Sequence, residues 1–279
     1  MTGTTVRTLL LATDLSPRCD RAVERAVALA RLWDARLEVL TVLDPAAVSS
    51  ETIAAARETV AASLGGYAAA AIHVLDTPVE QAIVTLARET EADLIVTGPS
   101  GETWLGQSFL GQTLKSLMRT THAPVLLVRA PVHRAYRRVV ISVDLSDSSR
   151  APVEAAAQFF GRSASLSVFH AFNTPFRMFA DDARAYEAGV REGVTLEIRD
   201  ALHAWSVPDA ANLPVIADYG EPARKLEELV QRHDIDVVVV GTHGRSGVMS
   251  LMLGSVAQAI VETVRCDVLI APSRGAWPG

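Results

Sequence analysis

The chain has 279 residues, 49% of them apolar, 21% charged and only 5% aromatic, a balance in which Ala, Val and Leu fill the cores of a helix-rich globular protein. Against 32 acidic residues stand 26 basic ones, a net charge of −6 with no Lys/Arg block, which argues against nucleic acid as a partner. Cys19 and Cys266 fall one in each half without CxxC spacing, so two free thiols in a reducing compartment are expected.

Val6 to Ala12 is apolar but stops before Asp14, too short for a signal peptide or a membrane span, and a cytoplasmic protein with no membrane partner is expected. That run, Thr8 to Ala12 followed by Thr13-Asp14-Leu15-Ser16, recurs 130 positions later as Arg138 to Ser142 followed by Val143-Asp144-Leu145-Ser146. Each copy reads as a buried strand ending in a carboxylate, and helical spacing follows over Arg21 to Trp33 and Ala151 to Phe160. Ser16 and Ser146 are expected to cap those helices. Second strands are predicted at Leu37 to Leu43 and Ser165 to Phe172, and third strands at Ala71 to Leu75 and Pro214 to Ala217. Amphipathic helices over Val79 to Thr90 and Glu221 to His233 then feed strands at Asp93 to Gly98 and Asp236 to Gly241. A last helix and a last strand, Val125 to Val128 or Val268 to Ile270, close each half. Strands alternating with helices predict an α/β fold: two tandem, open, doubly wound domains, each with a mainly parallel sheet and helices on both faces. The repeat offset is 130 at the aspartates and 143 at Gly98 and Gly241, so the second copy carries 13 extra residues, expected in 173–193 or 201–213. The linker is placed at Pro131 to Tyr136, which gives domains over 1–132 and 137–279.

The second copy contains Gly241-Thr242-His243-Gly244-Arg245-Ser246-Gly247, then Gly254-Ser255 opening a helix, a G-x2-G-x9-G-S pattern. Glycines at a strand-to-helix junction let an anion approach backbone amides without meeting a Cβ, and a helix start adds N–H groups and positive dipole. Ser255 adds a hydroxyl and Arg245 a cation. If the first and fourth strands are neighbours, Asp144 and Gly241 flank one crevice beyond the strand ends. The first copy keeps Gly98, Gly101 and Gly111. It has Pro99 where an N–H is lost, Glu102 in place of Arg245 and Gln112 in place of Ser255, so its phosphate site is degenerate. His73, His122 and His133 lack metal-ligand spacing, and Asp181-Asp182 is read as part of an exposed insertion.

Over nearly all of both halves the chain resembles the universal stress protein family. The resemblance rests on Val143-Asp144-Leu145-Ser146, Gly220-Glu221-Pro222 and the segment from Val240 to Ser255. It implies five-stranded sheets in the order 3-2-1-4-5 and a site for ATP, ADP or AMP, with Mg²⁺ accompanying the phosphates. It places Val143, Asp144 and Ala171 around the base. Gly241, Thr242, Gly244, Arg245, Gly254, Ser255 and Val256 then surround ribose and phosphates. It also implies a regulatory or stress-response role, a protein partner or self-association, and an internal pseudo-dimer through the last strands. No acid–base pair for catalysis stands out, so slow ATP hydrolysis, self-phosphorylation and a scaffold without ligand are the alternative readings.

Overall fold

The computed structural model describes residues 6–99, 103–104, 107–108, 111–174, 182–242 and 254–272. The chain divides into two compact units that meet between Ala135 and Tyr136. In the first, the elements are β1 (Thr8–Ala12), α1 (Asp20–Trp33), β2 (Arg36–Val42), α2 (Ser50–Ser63), β3 (Ala70–Leu75), α3 (Val79–Glu89) and β4 (Leu94–Thr97). A short antiparallel pair, β5 (Thr103–Trp104) and β6 (Gln107–Ser108), precedes α4 (Gln112–Thr120) and β7 (Val125–Leu127). The second unit repeats the plan with β8 (Arg138–Ser142), α5 (Arg150–Phe160), β9 (Ser165–Phe172), α6 (Ala183–Trp205), β10 (Val215–Tyr219), α7 (Pro222–His233), β11 (Val237–Gly241), α8 (Ser255–Thr263) and β12 (Asp267–Ala271).

Within the first unit the strands run β3-β2-β1-β4-β7, and within the second β10-β9-β8-β11-β12. All of these pairings are parallel. Both sheets therefore have the order 3-2-1-4-5 that the sequence resemblance implies. Because the central strands are covered on both faces, their sequences are continuously apolar rather than alternating. Leu9, Leu10 and Leu11 in β1 and Val237, Val238 and Val239 in β11 have no solvent exposure.

The same carboxylate latch fixes the first strand of each sheet against the fourth. Asp93, just before β4, accepts the backbone N–H groups of Arg7 at 2.6 Å and Thr8 at 2.9 Å through Oδ2. Asp236, just before β11, accepts those of Arg137 at 2.7 Å and Arg138 at 2.9 Å. The latch satisfies the otherwise orphaned N–H groups where β1 and β8 begin and sets the register of the pairs β1–β4 and β8–β11.

Strand register also locates the extra residues of the second copy. Leu40 in β2 faces His73 in β3, and Phe169 in β9, the matching residue, faces Ile216 in β10. The added length thus lies between β9 and β10, where α6 has 23 residues against 14 in α2. Asp182 is exposed in this lengthened segment, and its Oδ1 caps α6 by accepting the N–H groups of Arg184 and Ala185. At α7, Glu221 caps in the same way and Pro222 sits at a helix-opening position that needs no N–H.

Replacing Asp236 with Ala should destabilise the second unit by about 1 kcal/mol, a value expected for two partly solvated hydrogen bonds to a charged acceptor, and Asp93→Ala should do the same in the first. Denaturant unfolding of each variant checks this. An unchanged midpoint in both would show that the latch adds nothing beyond strand packing.

Candidate functional site

In both units the connections reverse direction between the first and fourth strands, which opens a crevice beyond their carboxyl ends. In the second unit this crevice is a cavity of about 610 Å³. Its floor comes from the ends of β8, β9 and β11, including Val143, Asp144, Ala171 and Gly241, and one wall is the start of α8 with Gly254, Ser255 and Val256.

Asp144 sits where β8 turns out of the sheet. Its Oδ1 accepts the Ser146 N–H at 3.0 Å and the hydroxyls of Ser146 at 2.5 Å and Ser149 at 2.7 Å. This local network holds Leu145 between them at a φ of 65°, a left-handed conformation that leucine adopts at a cost of about 1 kcal/mol. Asp14 holds Leu15 in the same way at 59°, with the Ser16 N–H at 2.9 Å. The aspartates are therefore turn formers as well as cavity residues.

The two serines do not cap the following α-helices as expected. The residue preceding α1 is Cys19 and the one preceding α5 is Ser149, and neither makes a side-chain capping bond. In the second unit a one-turn 3-10 helix, Asp147–Ser149, intervenes, and Asp144 captures the Ser146 hydroxyl instead.

Thr242 is buried and lies outside the cavity lining. Its N–H donates to the Ala271 carbonyl at 3.1 Å, and its own carbonyl accepts the Gly254 N–H at 2.9 Å. That second bond brings the start of α8 back beside the end of β11, so Gly241 and Gly254 border one space although 12 residues separate them. Gly254 is the N-cap of α8 and supplies no side-chain capping bond, so the helix presents its first-turn N–H groups and Ser255 at the cavity. Gly244 and Arg245 lie outside the described residues, as do His243 and, in the first copy, Gly101 and Glu102.

Several lining residues carried no signal in the motif. His170 is buried and donates from Nδ1 to the Val143 carbonyl at 2.7 Å, tying the end of β9 to that of β8. Val190, Val194 and Glu197 of α6 form a second wall, and their i, i+4, i+7 spacing puts them on one helical face. That spacing was visible in the sequence, but what it faces was not.

The matching cavity of the first unit is smaller, about 240 Å³, and α2 contributes nothing to its lining. Cys19 occupies the place of Ser149, and its sulfur packs so close to Gly98 that a Cβ there would meet Sγ at 3.1 Å. Burial, together with the Asp14 carboxylate, raises the Cys19 pKa and keeps the thiol protonated. For Asp14, burial works upward, but hydrogen bonds from Ser16 and Cys19 and the charge of Arg18 outweigh it and hold the carboxyl below its usual range. Among the described residues no group of His, Cys, Asp and Glu could hold a metal ion, and no helix is long and apolar enough to cross a membrane.

Fold and cavity define an open, doubly wound α/β protein, duplicated within one chain, with its larger crevice in the second unit. The universal stress protein family model matches residues 5–129 and again 135–272, and the chain belongs to that family. A universal stress protein of Mycobacterium tuberculosis is 28% identical over 215 residues, which covers 71% of this chain and 67% of that relative. A homologue of universal stress protein A from Coxiella burnetii is 30% identical over 140 residues, covering 48% of this chain and 94% of its own. Among solved structures, a protein of unknown function from Pseudomonas aeruginosa shares the fold at a TM-score of 0.69 and 20% identity, covering 96% of this chain and 92% of its own. A universal stress protein from Archaeoglobus fulgidus does so at 0.69 and 16%, covering 96% and 99%.

Because the folded Asp14 pKa is depressed, its contribution to stability is present above the ordinary aspartate value of about 3.9 and is lost as pH falls through the folded value. Asp14→Asn should therefore lower the melting temperature at pH 7, with the gap to wild type closing below about pH 4. A gap that persists unchanged at pH 2 to 3, by calorimetry, would contradict this assignment.

Proposed function

We propose that the second unit binds an adenine nucleotide, ATP or its di- or monophosphate with Mg²⁺ on the phosphates, and that occupancy regulates this stress protein rather than feeding a reaction. The observation that carries the reading is the α8 N-terminus. Uncapped by any side chain among the described residues, it opens onto the same cavity as Asp144 and Ala171. A helix start favours an anion, while a carboxylate and strand-end carbonyls favour the hydroxyls of ribose and the N–H groups of a base. The two ends of the cavity thus suit the two ends of a nucleotide.

No Lys or Arg lines the cavity among the described residues. Phosphate binding then depends on backbone N–H groups, on Ser255 and on Arg245, the arginine that the sequence places in the glycine segment. In this reading Val143, Asp144 and Ala171 surround the base and Gly241, Gly244, Arg245, Gly254, Ser255 and Val256 the ribose and phosphates. Thr242 acts through its backbone, holding Gly254 in place. The first unit, with Pro99 and the smaller cavity, serves the protein as a fold and not as a second nucleotide site. Action in the cytoplasm and a protein partner that senses occupancy complete the proposal.

Ser255→Asp tests it without disturbing the fold, since a carboxylate in the first turn of a helix is stabilising in the absence of ligand. Calorimetric titration of nucleotide-free protein with ATP and Mg²⁺ should give about one site per chain. The variant should bind at least about tenfold more weakly, because its carboxylate faces the phosphates. No heat and no thermal shift in the wild type, or equal affinity in the variant, would overturn the reading.

A further inference from the structure

The adenosine end of the cavity has a wall that the first unit lacks. On α6, Val190, Val194 and Glu197 lie on one face and line the cavity of the second unit, whereas no residue of α2 lines the cavity of the first. The lengthened α6 is therefore what distinguishes the pocket of about 610 Å³ from that of about 240 Å³ on this side. At 1.5 Å of rise per residue, the stripe from Val190 to Glu197 is about 10 Å long. Val190 and Val194 are half-buried, and Glu197 is exposed to the cavity with no hydrogen bond or ion pair to any described residue. The ends of β8 and β9 add Val143 and Ala171, also apolar, to the lining; α6 packs on β10 at one side of this sheet, while α8, whose start favours an anion, joins β11 to β12 at the other.

A base lying against Val190 and Val194 would have the Glu197 carboxylate, on the same helical face, at its edge. An ionised carboxylate only accepts hydrogen bonds, so the edge it faces must carry N–H groups. Resting on the adenine-nucleotide reading above, we infer that Glu197 reads the exocyclic amino group of the base and is a specificity determinant that the glycine motif does not contain. Its charge is kept from the phosphates because they occupy the opposite, α8 end.

A double-mutant cycle tests the contact. ATP and purine riboside 5′-triphosphate, which differ only in the 6-amino group, are titrated by calorimetry into wild type and Glu197→Ala. Alanine is the best helix former, and position 197 is exposed, so the variant keeps α6. Wild type should prefer ATP by about tenfold, the value of one hydrogen bond to a charged acceptor, and the preference should fall to nearly one in the variant. GTP serves as a third probe. If ATP binds but its preference over the riboside is the same in both proteins, the role of Glu197 is overturned while the nucleotide site stands. If GTP binds more tightly than ATP and loses that advantage in the variant, Glu197 reads a ring N–H instead and the amino-group assignment falls. If no triphosphate binds wild type, both the site and this inference are overturned.

Discussion

Placing the first strand of each repeat beside the fourth is the constraint on which the rest of the structure depends. In the second unit, β8 and β11 pair over Val139 to Ile141 and Val237 to Val239, and Asp236 fixes that register from below by holding two N–H groups of the incoming strand. With the register set, Asp144 and Gly241 leave the sheet at the same level. Both then border the crevice, Asp144 at the turn after β8 and Gly241 at the end of β11. The Thr242 carbonyl closes the far side by drawing Gly254 back, so a backbone hydrogen bond, not a side chain, builds the wall formed by α8.

Duplication gave the chain two such crevices, and small chemical differences separate them. Ser149 bonds to both the N–H and the carboxylate of Asp144, whereas Cys19, in the matching place, packs its sulfur against Gly98. Pro99 replaces Thr242, so the backbone N–H that reaches the last strand in the second unit does not exist in the first. The longest difference is α6, which adds a wall to one cavity. Each change is local, and together they leave the first unit a narrower space with apolar walls from Leu40, Ile83 and Leu117.

Much of this was legible in the chain because the signals were local. Continuous apolar runs such as Val237 to Val240 mark strands buried on both faces, and α1, α3, α5 and α7 begin and end within a residue of the positions read from apolar spacing, whereas α2 and α6 have no bounds in that reading. The glycine spacing and the terminal aspartates marked the crevice in the same way. What escaped was tertiary. The stripe Val190, Val194 and Glu197 is ordinary for a helix until its partner surface is known, and His170 reads as one strand residue among others until its bond to the Val143 carbonyl is seen. What capping preference alone does not show is that Asp144 takes the Ser146 hydroxyl, that Asp14 takes the Ser16 N–H, and that Cys19 and Ser149 stand at the helix starts instead.

The proposed asymmetry is that one unit holds nucleotide and its twin does not. Amide chemical shifts followed by NMR during addition of ATP and Mg²⁺ test that most directly, because each crevice reports through its own residues. The expected result is saturable shifts at Val143, Asp144, Ala171, Gly241, Gly254 and Ser255, with Thr13, Asp14 and Gly98 unmoved. Shifts confined to the first unit, equal shifts in both, or none in either would contradict it.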